Sequence, residues 1–567
     1  MLTVNYSIKG SWRYMWYLHY QVKDMLKIHR WISKQVIASQ SAGGNNAGSE
    51  ELVGGVSLGK IIPTGRSSSL ENHDQEREPQ EYGLRQLIGL FLGPLLFIIT
   101  LLIPTPEGMS PDARMILAGT AWMAAWWISE AIPIPVTSLL PIVLFPITGA
   151  MSVGQVTAPY ANPNVFLFLG GFMIAVCMEK WNLHRRIALL IINFVGTSPN
   201  RLILGFMAAT GFLSMWISNT ATTMMMLPIG LAVILQVATL IRERNIEGID
   251  TRKGHFNFGT CLMLCIGYSA SIGGVATLIG TPPNIIFAGA AEELFGISIG
   301  FAQWMAYGLP ISIVFMLVAW FYMTRFAYPS GLAEIPGSRE VIRDQLKNLG
   351  PTSKEEKLIA AVFIFVALAW ISRAFVLDAI FPMINDALIA ILGAVITFVI
   401  PVNLARGKFL NDWDTATKVP WGILILFGGG LAIAAGFSDS GLAEWIGMRL
   451  SVLEGSSMLI IMLAVVTLVV YLTEITSNTA TTSMMMPIMA AMAVAMSIHP
   501  YAMMITAATA ASYAFMLPVA TPPNAVVFGS GYITIPQMAR AGMWLNILAV
   551  IVITLFAYLW LPLVFRF

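Results

Sequence analysis

Two short uncharged stretches, each written twice, hold the residues of this chain best suited to bind a solute. Ser218-Asn219-Thr220-Ala221-Thr222-Thr223 returns as Ser477-Asn478-Thr479-Ala480-Thr481-Thr482, and Gly280-Thr281-Pro282-Pro283-Asn284 returns as Ala520-Thr521-Pro522-Pro523-Asn524. Two consecutive prolines delete amide donors and clash with the preceding turn, so a helix must break at each Thr-Pro-Pro. A break frees carbonyl oxygens on its first half and turns the amide end of its second half toward the same place. Carbonyls and hydroxyls are hard oxygen ligands for a small cation, and a helix amino terminus suits an anion. A Ser-Asn-Thr turn set opposite each break supplies further oxygens and amides. Taken singly, Ser-Asn-Thr in an apolar helix is a helix-to-helix hydrogen-bonding feature and Pro-Pro is a kink. The duplicated pair argues instead for one site assembled from two halves, as in carriers built from inverted repeats.

No Arg, Lys, Asp or Glu lies within the four motif cores. Charge must therefore balance among the ligands themselves, which fits a carboxylate or sulfate held by amides and hydroxyls beside bound cations. Glu474, just before the second turn, reads either as an acid that tunes the site or as a protonated or solvated group at its shoulder. Glu130, ahead of Pro133, belongs at a helix end, and His184, in a basic loop, reads as a surface residue rather than a relay.

The elements that position these motifs are membrane helices. The chain of 567 residues is 57% hydrophobic and 11% charged, with a mean hydropathy of +0.74, against about 25% charge in soluble domains. A dozen apolar runs begin at Leu87, several of them short of the roughly 20 residues that cross a hydrocarbon core, which predicts broken or partly inserted helices. The net charge of +2 gives no case for nucleic acid. Cys177, Cys261 and Cys265 sit in or beside apolar runs and read as packing thiols.

Basic residues between spans favour the cytoplasm. The connections around Lys180 to Arg201, Arg242 to Lys253, Arg325 to Lys357 and Arg406 to Lys418 are rich in them and are assigned inside, and the alternate connections are poor in them. The segment 201–231 then leaves and returns on the inside, and 458–498 leaves and returns on the outside: two re-entrant hairpins of opposite orientation, each with a Ser-Asn-Thr tip. Ser218 to Ser477 is a step of 259 positions, as is Gly170 to Gly429, and the Thr-Pro-Pro-Asn copies stand 240 apart. The expected fold is an all-α polytopic membrane protein of two inverted repeats, each with a re-entrant hairpin and a Pro-Pro-broken helix. Repeat 1 spans 86–326 with its broken helix at 256–290, a cytoplasmic linker covers 327–357, and repeat 2 spans 358–567 with its broken helix at 502–530. Residues 1–85 read as a cytoplasmic, disordered tail, with an interfacial helix in the first 35 as the alternative.

The paired Ser-Asn-Thr tips with Thr-Pro-Pro breaks resemble the divalent anion/sodium symporter family of di- and tricarboxylate and sulfate transporters, from about Leu87 to the end. The resemblance implies a homodimer in the plasma (inner) membrane, in which a scaffold domain holds the interface and a transport domain moves as an elevator. Carried over by motif, a first sodium site uses Ser214, Ser218, Asn219 and the Gly280 carbonyl, and a second uses Thr473, Thr476, Asn478 and the Ala520 carbonyl. Substrate carboxylates meet Asn219, Thr220, Thr281 and Pro282 from one half and Asn478, Thr479, Thr521 and Pro522 from the other. The expected function is import of a C4-dicarboxylate (succinate, malate or fumarate) with sodium as coupling ion and no other cofactor. Sulfate or citrate symport and sodium-independent exchange are the alternatives.

Three rival classes fit less well. A cation/proton antiporter or arsenite-type carrier would carry acids at its helix breaks, and two hairpins of opposite orientation suit a gated carrier better than a continuous pore. An intramembrane hydrolase lacks its motif: no His-Glu-x-x-His occurs, and Gly267-Tyr268-Ser269-Ala270-Ser271 lacks the second glycine of a nucleophile elbow.

Overall fold

Prolines and small polar caps set where most helices of this protein start. Pro111, Pro163, Pro199, Pro282, Pro500 and Pro522 each stand in the first turn of a helix, where a missing amide costs nothing and the fixed φ is already helical. Ser110 shows the matching cap, its Oγ accepting from Ala113 N at 2.9 Å. The computed structural model describes residues 82–196, 198–243, 249–331, 338–450 and 457–566. Of the tail expected over 1–85, residues 1–81 lie outside the described residues.

Leading helices α1 (Leu84–Leu102), α2 (Pro111–Ser129) and α3 (Leu140–Thr148) precede the repeated part. Its first copy runs through α4 (Pro163–Lys180), α5 (Leu183–Val195), α6 (Pro199–Ser214), α7 (Asn219–Glu243), α8 (Asn257–Gly274), α9 (Pro282–Phe295) and α10 (Phe301–Tyr322). Three longer helices follow: α11 (Ser338–Asn348), α12 (Lys354–Ser372) and α13 (Asp386–Val399). A two-stranded antiparallel ribbon, Pro401–Asn403 with Lys408–Phe409, leads into the second copy. That copy repeats the order as α14 (Trp421–Asp439), α15 (Leu442–Leu450), α16 (Met458–Thr473), α17 (Asn478–Ala495), α18 (Pro500–Ala511), α19 (Pro522–Phe528) and α20 (Ile535–Leu559). Leu84–Phe567 forms one compact unit.

Among the described residues, seven stretches are long and apolar enough to cross a membrane by length and composition. The first hairpin is longer than its expected end at 231, because α7 continues unbroken to Glu243. No proline or glycine lies between Leu231 and Glu243 to stop it.

The two copies interlock. The half-helix α9 of the first packs on α17 and α18 of the second, and α19 of the second packs on α7 and α8 of the first. Glycines allow the closest crossings. A Cβ at Gly273 would stand 2.2 Å from Gly211 O, and one at Gly542 would stand 2.1 Å from Phe515 O, distances no side chain survives. The thiols of Cys177, Cys261 and Cys265 are free and buried, as expected.

Charged groups pin the periphery. Arg186 pairs with Glu356 at 3.0 Å, both side chains nearly buried, and donates to Gly350 O at 3.1 Å, which ties the linker's end to α5. Arg373 holds Asp386 at 2.6 Å, while the other oxygen of Asp386 accepts from Phe301 N at 2.7 Å, joining α12, α13 and the start of α10. Glu130 caps α2 in a left-handed conformation, φ 53°, at a helix end as expected. His184 departs from its surface reading: it is half-buried, with Nδ1 3.3 Å from Met178 O, and burial holds its pKa below the ordinary value.

Candidate functional site

Each half-site is a helix end, a turn and a helix break tied to one another by side-chain oxygens. In the first, α6 stops at Ser214 and α7 restarts at Asn219. Ser214 Oγ lies in a very short contact with Asn219 Oδ1 and donates to Ala270 O at 2.8 Å. The break runs from Val275 to Thr281 between α8 and α9. Thr277 Oγ1 reaches back from it to Met215 O at 2.5 Å. Asn284 closes it, its Nδ2 donating to Gly274 O at 3.0 Å, Val275 O at 3.3 Å and Thr277 O at 2.7 Å. Gly274 and Gly280 let the two sides meet, since a Cβ at Gly280 would stand 2.3 Å from Gly274 O.

The second half repeats this with different atoms. Thr473 Oγ1 donates to Asn478 Oδ1 at 2.6 Å and faces Ala511 O at 3.1 Å. Asn524 Nδ2 donates to Ala514 O at 3.0 Å and Leu517 O at 3.1 Å, and Thr521 Oγ1 accepts from Asn524 N at 3.3 Å. The asparagine after each Pro-Pro thus ties its own break, a role that sequence reasoning did not assign.

Polar atoms converge at Asn219. Its amide end meets Ser214 Oγ, Gly280 O and Ala270 O, the two carbonyls at 3.2 Å. With its nitrogen turned that way the amide donates to all three. With its oxygen turned that way, four oxygens converge with too few protons among them, an arrangement that only a cation makes favourable. Ser214, Asn219 and the Gly280 carbonyl are therefore brought together as expected. Ala270 O joins them, and Ala511 O takes the same place in the second half. Both are backbone oxygens on helices without a side-chain signal.

Other expected ligands stand as follows. Ser218 Oγ accepts from Ala221 N at 3.2 Å, capping the first turn of α7. The hydroxyl of Thr476 donates to Leu472 O at 2.9 Å and lies 2.5 Å from Thr481 Oγ1. Thr220 and Thr479 are half-buried in the first turns of α7 and α17, Pro282 is half-buried, Pro522 exposed, and Thr281, Thr521 and Ala520 buried. The amino termini of α7, α9 and α17 all begin at the motifs, placing orphan amides where an anion would be received.

Glu474 stands at the hairpin's shoulder as the residue that ends α16, and it is not solvated. It is 3% exposed, and its carboxylate accepts from the amides of Phe515, Met516 and Leu517 at 2.6, 2.9 and 3.1 Å. Asn546 Nδ2 adds a fourth bond at 2.7 Å. The second break is thus clamped by an acid, whereas the corresponding position in the first half is Met215.

Apolar helices in two interlocked copies, with tips and breaks that present uncharged oxygens and amides, define a polytopic membrane transporter rather than an enzyme. The chain belongs to the sodium:sulfate symporter family, whose transmembrane region matches residues 84–566, the divalent anion/sodium symporters that its motifs resemble. It is 47% identical over 501 residues to the sodium-dependent dicarboxylate transporter SdcS of Staphylococcus saprophyticus, covering 88% of this chain and 95% of that relative. It is 46% identical over 493 residues to the protein of the same name from Staphylococcus aureus, covering 86% and 94%. In fold it is similar to the solved YdaH transporter of Alcanivorax borkumensis, with TM-score 0.53 at 13% identity over 85% of this chain and 99% of that one. Neisseria gonorrhoeae MtrF is similar too, with TM-score 0.50 at 12% identity over 85% and 96%.

Proposed function

We propose that this protein imports a C4-dicarboxylate, succinate, malate or fumarate, coupled to sodium ions. The observation that carries the reading is the convergence of Ser214 Oγ, Asn219, Ala270 O and Gly280 O, echoed by Thr473, Asn478 and Ala511. Uncharged oxygens of this kind suit a weakly held monovalent cation, and each ion adds the positive charge that a dianion needs in a site without Arg or Lys. The substrate's two carboxylates then span the halves, one toward Asn219, Thr220, Thr281 and Pro282 and the other toward Asn478, Thr479, Thr521 and Pro522. Relatives at 46–47% identity that are named sodium-dependent dicarboxylate transporters support this choice of cation and anion. The family description favours sulfate as the second reading.

Transport proceeds by an elevator. Hairpins and broken helices (α6–α9 and α16–α19) move as one body, because α9 with α17 and α19 with α7 lock the two halves together. The remaining helices form the scaffold of a homodimer in the plasma membrane, with the amino terminus cytoplasmic. Uptake of radiolabelled succinate into proteoliposomes tests the function, first with an inward sodium gradient and then with potassium in its place. Sodium-dependent uptake that Asn219→Ala and Asn478→Ala each abolish is the expected result. Equal uptake in potassium would identify an exchanger, and sulfate uptake without succinate uptake would replace the substrate alone.

A further inference from the structure

Positions that correspond in the two repeats should have similar surroundings, and along one face of each hairpin helix they do not. On α17, Ala480, Ser483, Pro487 and Ala490 are buried, while their counterparts on α7, 259 positions earlier, are open: Ala221 and Leu231 are half-buried, and Met224 and Pro228 exposed. These residues stand at i, i+3, i+7 and i+10, a single helical stripe. The breaks are unequal in the opposite sense. Ile279 is 7% exposed, while Val519, its counterpart 240 positions later, is 62% exposed. Trp216, at the first tip, packs on Phe301 and Phe363, with ring centroids 5.9 and 4.9 Å away, while its counterpart Ile475 is 57% exposed.

The glycine pair of α4 and α14 marks both inequalities, and α15 packs on α17 as well. α14 packs on α17 and α9, and a Cβ at Gly430 would stand 2.7 Å from Ser483 Oγ. The corresponding Gly171 of α4 faces not Met224 but Ile279, 3.4 Å from a Cβ placed there. So α14 touches the hairpin helix of its repeat, and α4 touches the break of its own. A small apolar cavity beside that second contact is lined by Gly171, Ile174, Trp216, Ile279, Phe363 and Trp370, among others. Protein interiors are close-packed, so a void here marks a loosely fitted seam.

Resting on the elevator reading, we infer that these two contacts exchange during transport. In the opposite state Gly171 of α4 docks on the Ala221–Met224–Pro228 face of α7, and Val519 takes the place beside Gly430 that Ser483 leaves. Ile279 and Ser483 become open as Met224 and Val519 are covered. Each glycine is then a docking point used twice, against a hairpin helix in one state and a break in the other; the hairpin contact is the one that needs a missing Cβ, at 2.7 Å for Gly430 on Ser483, whereas the break contact of Gly171 on Ile279, at 3.4 Å, leaves ordinary room.

The test uses the full chain in proteoliposomes with its three cysteines replaced. Gly430→Cys with Ser483→Cys reports the present contact, and Gly171→Cys with Met224→Cys reports the exchanged one. Both pairs are expected to bridge with mercuric ion, lose their reaction with a maleimide, and arrest uptake until excess thiol is added. Bridging of the first pair alone, with or without sodium and succinate, overturns the inference. Should a pair fail to fold, Met224→Cys alone is labelled with and without Gly430→Val, whose bulk disfavours the present state. A several-fold slower labelling with Gly430→Val is expected, and an unchanged or faster one refutes the exchange. Sodium-dependent uptake by the cysteine-free chain before treatment judges the transport reading separately.

Discussion

Glu474 gives the sharpest test of how the second half-site is held. Its Oε1 accepts from Phe515 N, Met516 N and Asn546 Nδ2, and its Oε2 from Leu517 N. Glu474→Ala orphans three backbone amides and one side-chain amide in a buried place. At about 1–3 kcal/mol per orphaned donor, with overlap among neighbours, the loss comes to about 3–5 kcal/mol. Glu474→Gln keeps an oxygen for the three donors at Oε1 and sets an amide nitrogen only against Leu517 N, so it loses about 1–3 kcal/mol. Met215→Leu, at the corresponding position of the first half, costs under about 1.5 kcal/mol as a volume-conserving exchange. Thermal unfolding of the purified protein, followed by the loss of its monodisperse peak, should order the variants native, Met215→Leu, Glu474→Gln, Glu474→Ala. A Glu474→Ala protein as stable as the native one, or a Glu474→Gln protein that falls as far, would refute the clamp.

Four further outcomes follow from the geometry. Gly273→Ala drives a methyl to 2.2 Å from Gly211 O and should abolish folded expression, while Gly149→Ala, at φ +80° with open space around it, should cost only about 1 kcal/mol in the same unfolding assay. Thr473→Val, which removes the hydroxyl that meets Asn478 Oδ1 and Ala511 O, should raise the sodium concentration for half-maximal uptake about tenfold, equivalent to about 1.4 kcal/mol, whereas Thr476→Val, whose hydroxyl faces Leu472 O and Thr481 Oγ1 instead, should shift it less. Arg186→Ala leaves Glu356 buried and unpaired, a loss of about 3–5 kcal/mol, visible as faster proteolytic nicking between α10 and α12. Lys180, 2.6 Å away, holds Asp412 down to about 2. The contribution of this pair is therefore complete above the unfolded carboxylate value and is lost as pH falls toward about 2. With the Asp412 side chain 53% exposed, the pair should be worth no more than about 1 kcal/mol at neutral pH, checked by comparing Asp412→Asn with the native protein in acid and neutral unfolding curves.

Much of the site was legible because its chemistry is local. Proline pairs announce breaks wherever they fall, and the Ser-Asn-Thr turns sit at helix starts for the same capping reasons as in any protein. What stayed hidden is carried by the backbone or by distant partners. Ala270 and Ala511 contribute carbonyls, and no side chain marks them. Glu474 finds its amides 41 to 43 residues away, a distance at which sequence pattern says nothing about pairing. The helix of the first hairpin runs past the expected bound at 231 to Glu243. The unequal burial of Met224 and Ser483 was also out of reach, since near-identical stretches read alike until their neighbours are known.

The asparagines that tie the breaks also bear on how the protein is made. Asn284 bonds carbonyls only 7 to 10 residues behind it, and Asn524 does the same. Contacts of such short sequence separation form early and need no long loop to close. As the chain emerges amino end first, the first break can therefore be knotted off once Asn284 is inserted, long before Thr473 has been synthesised. Each half of the pocket thus leaves the ribosome as a nearly finished part, and what remains for assembly is the docking of α9 on α17 and of α19 on α7.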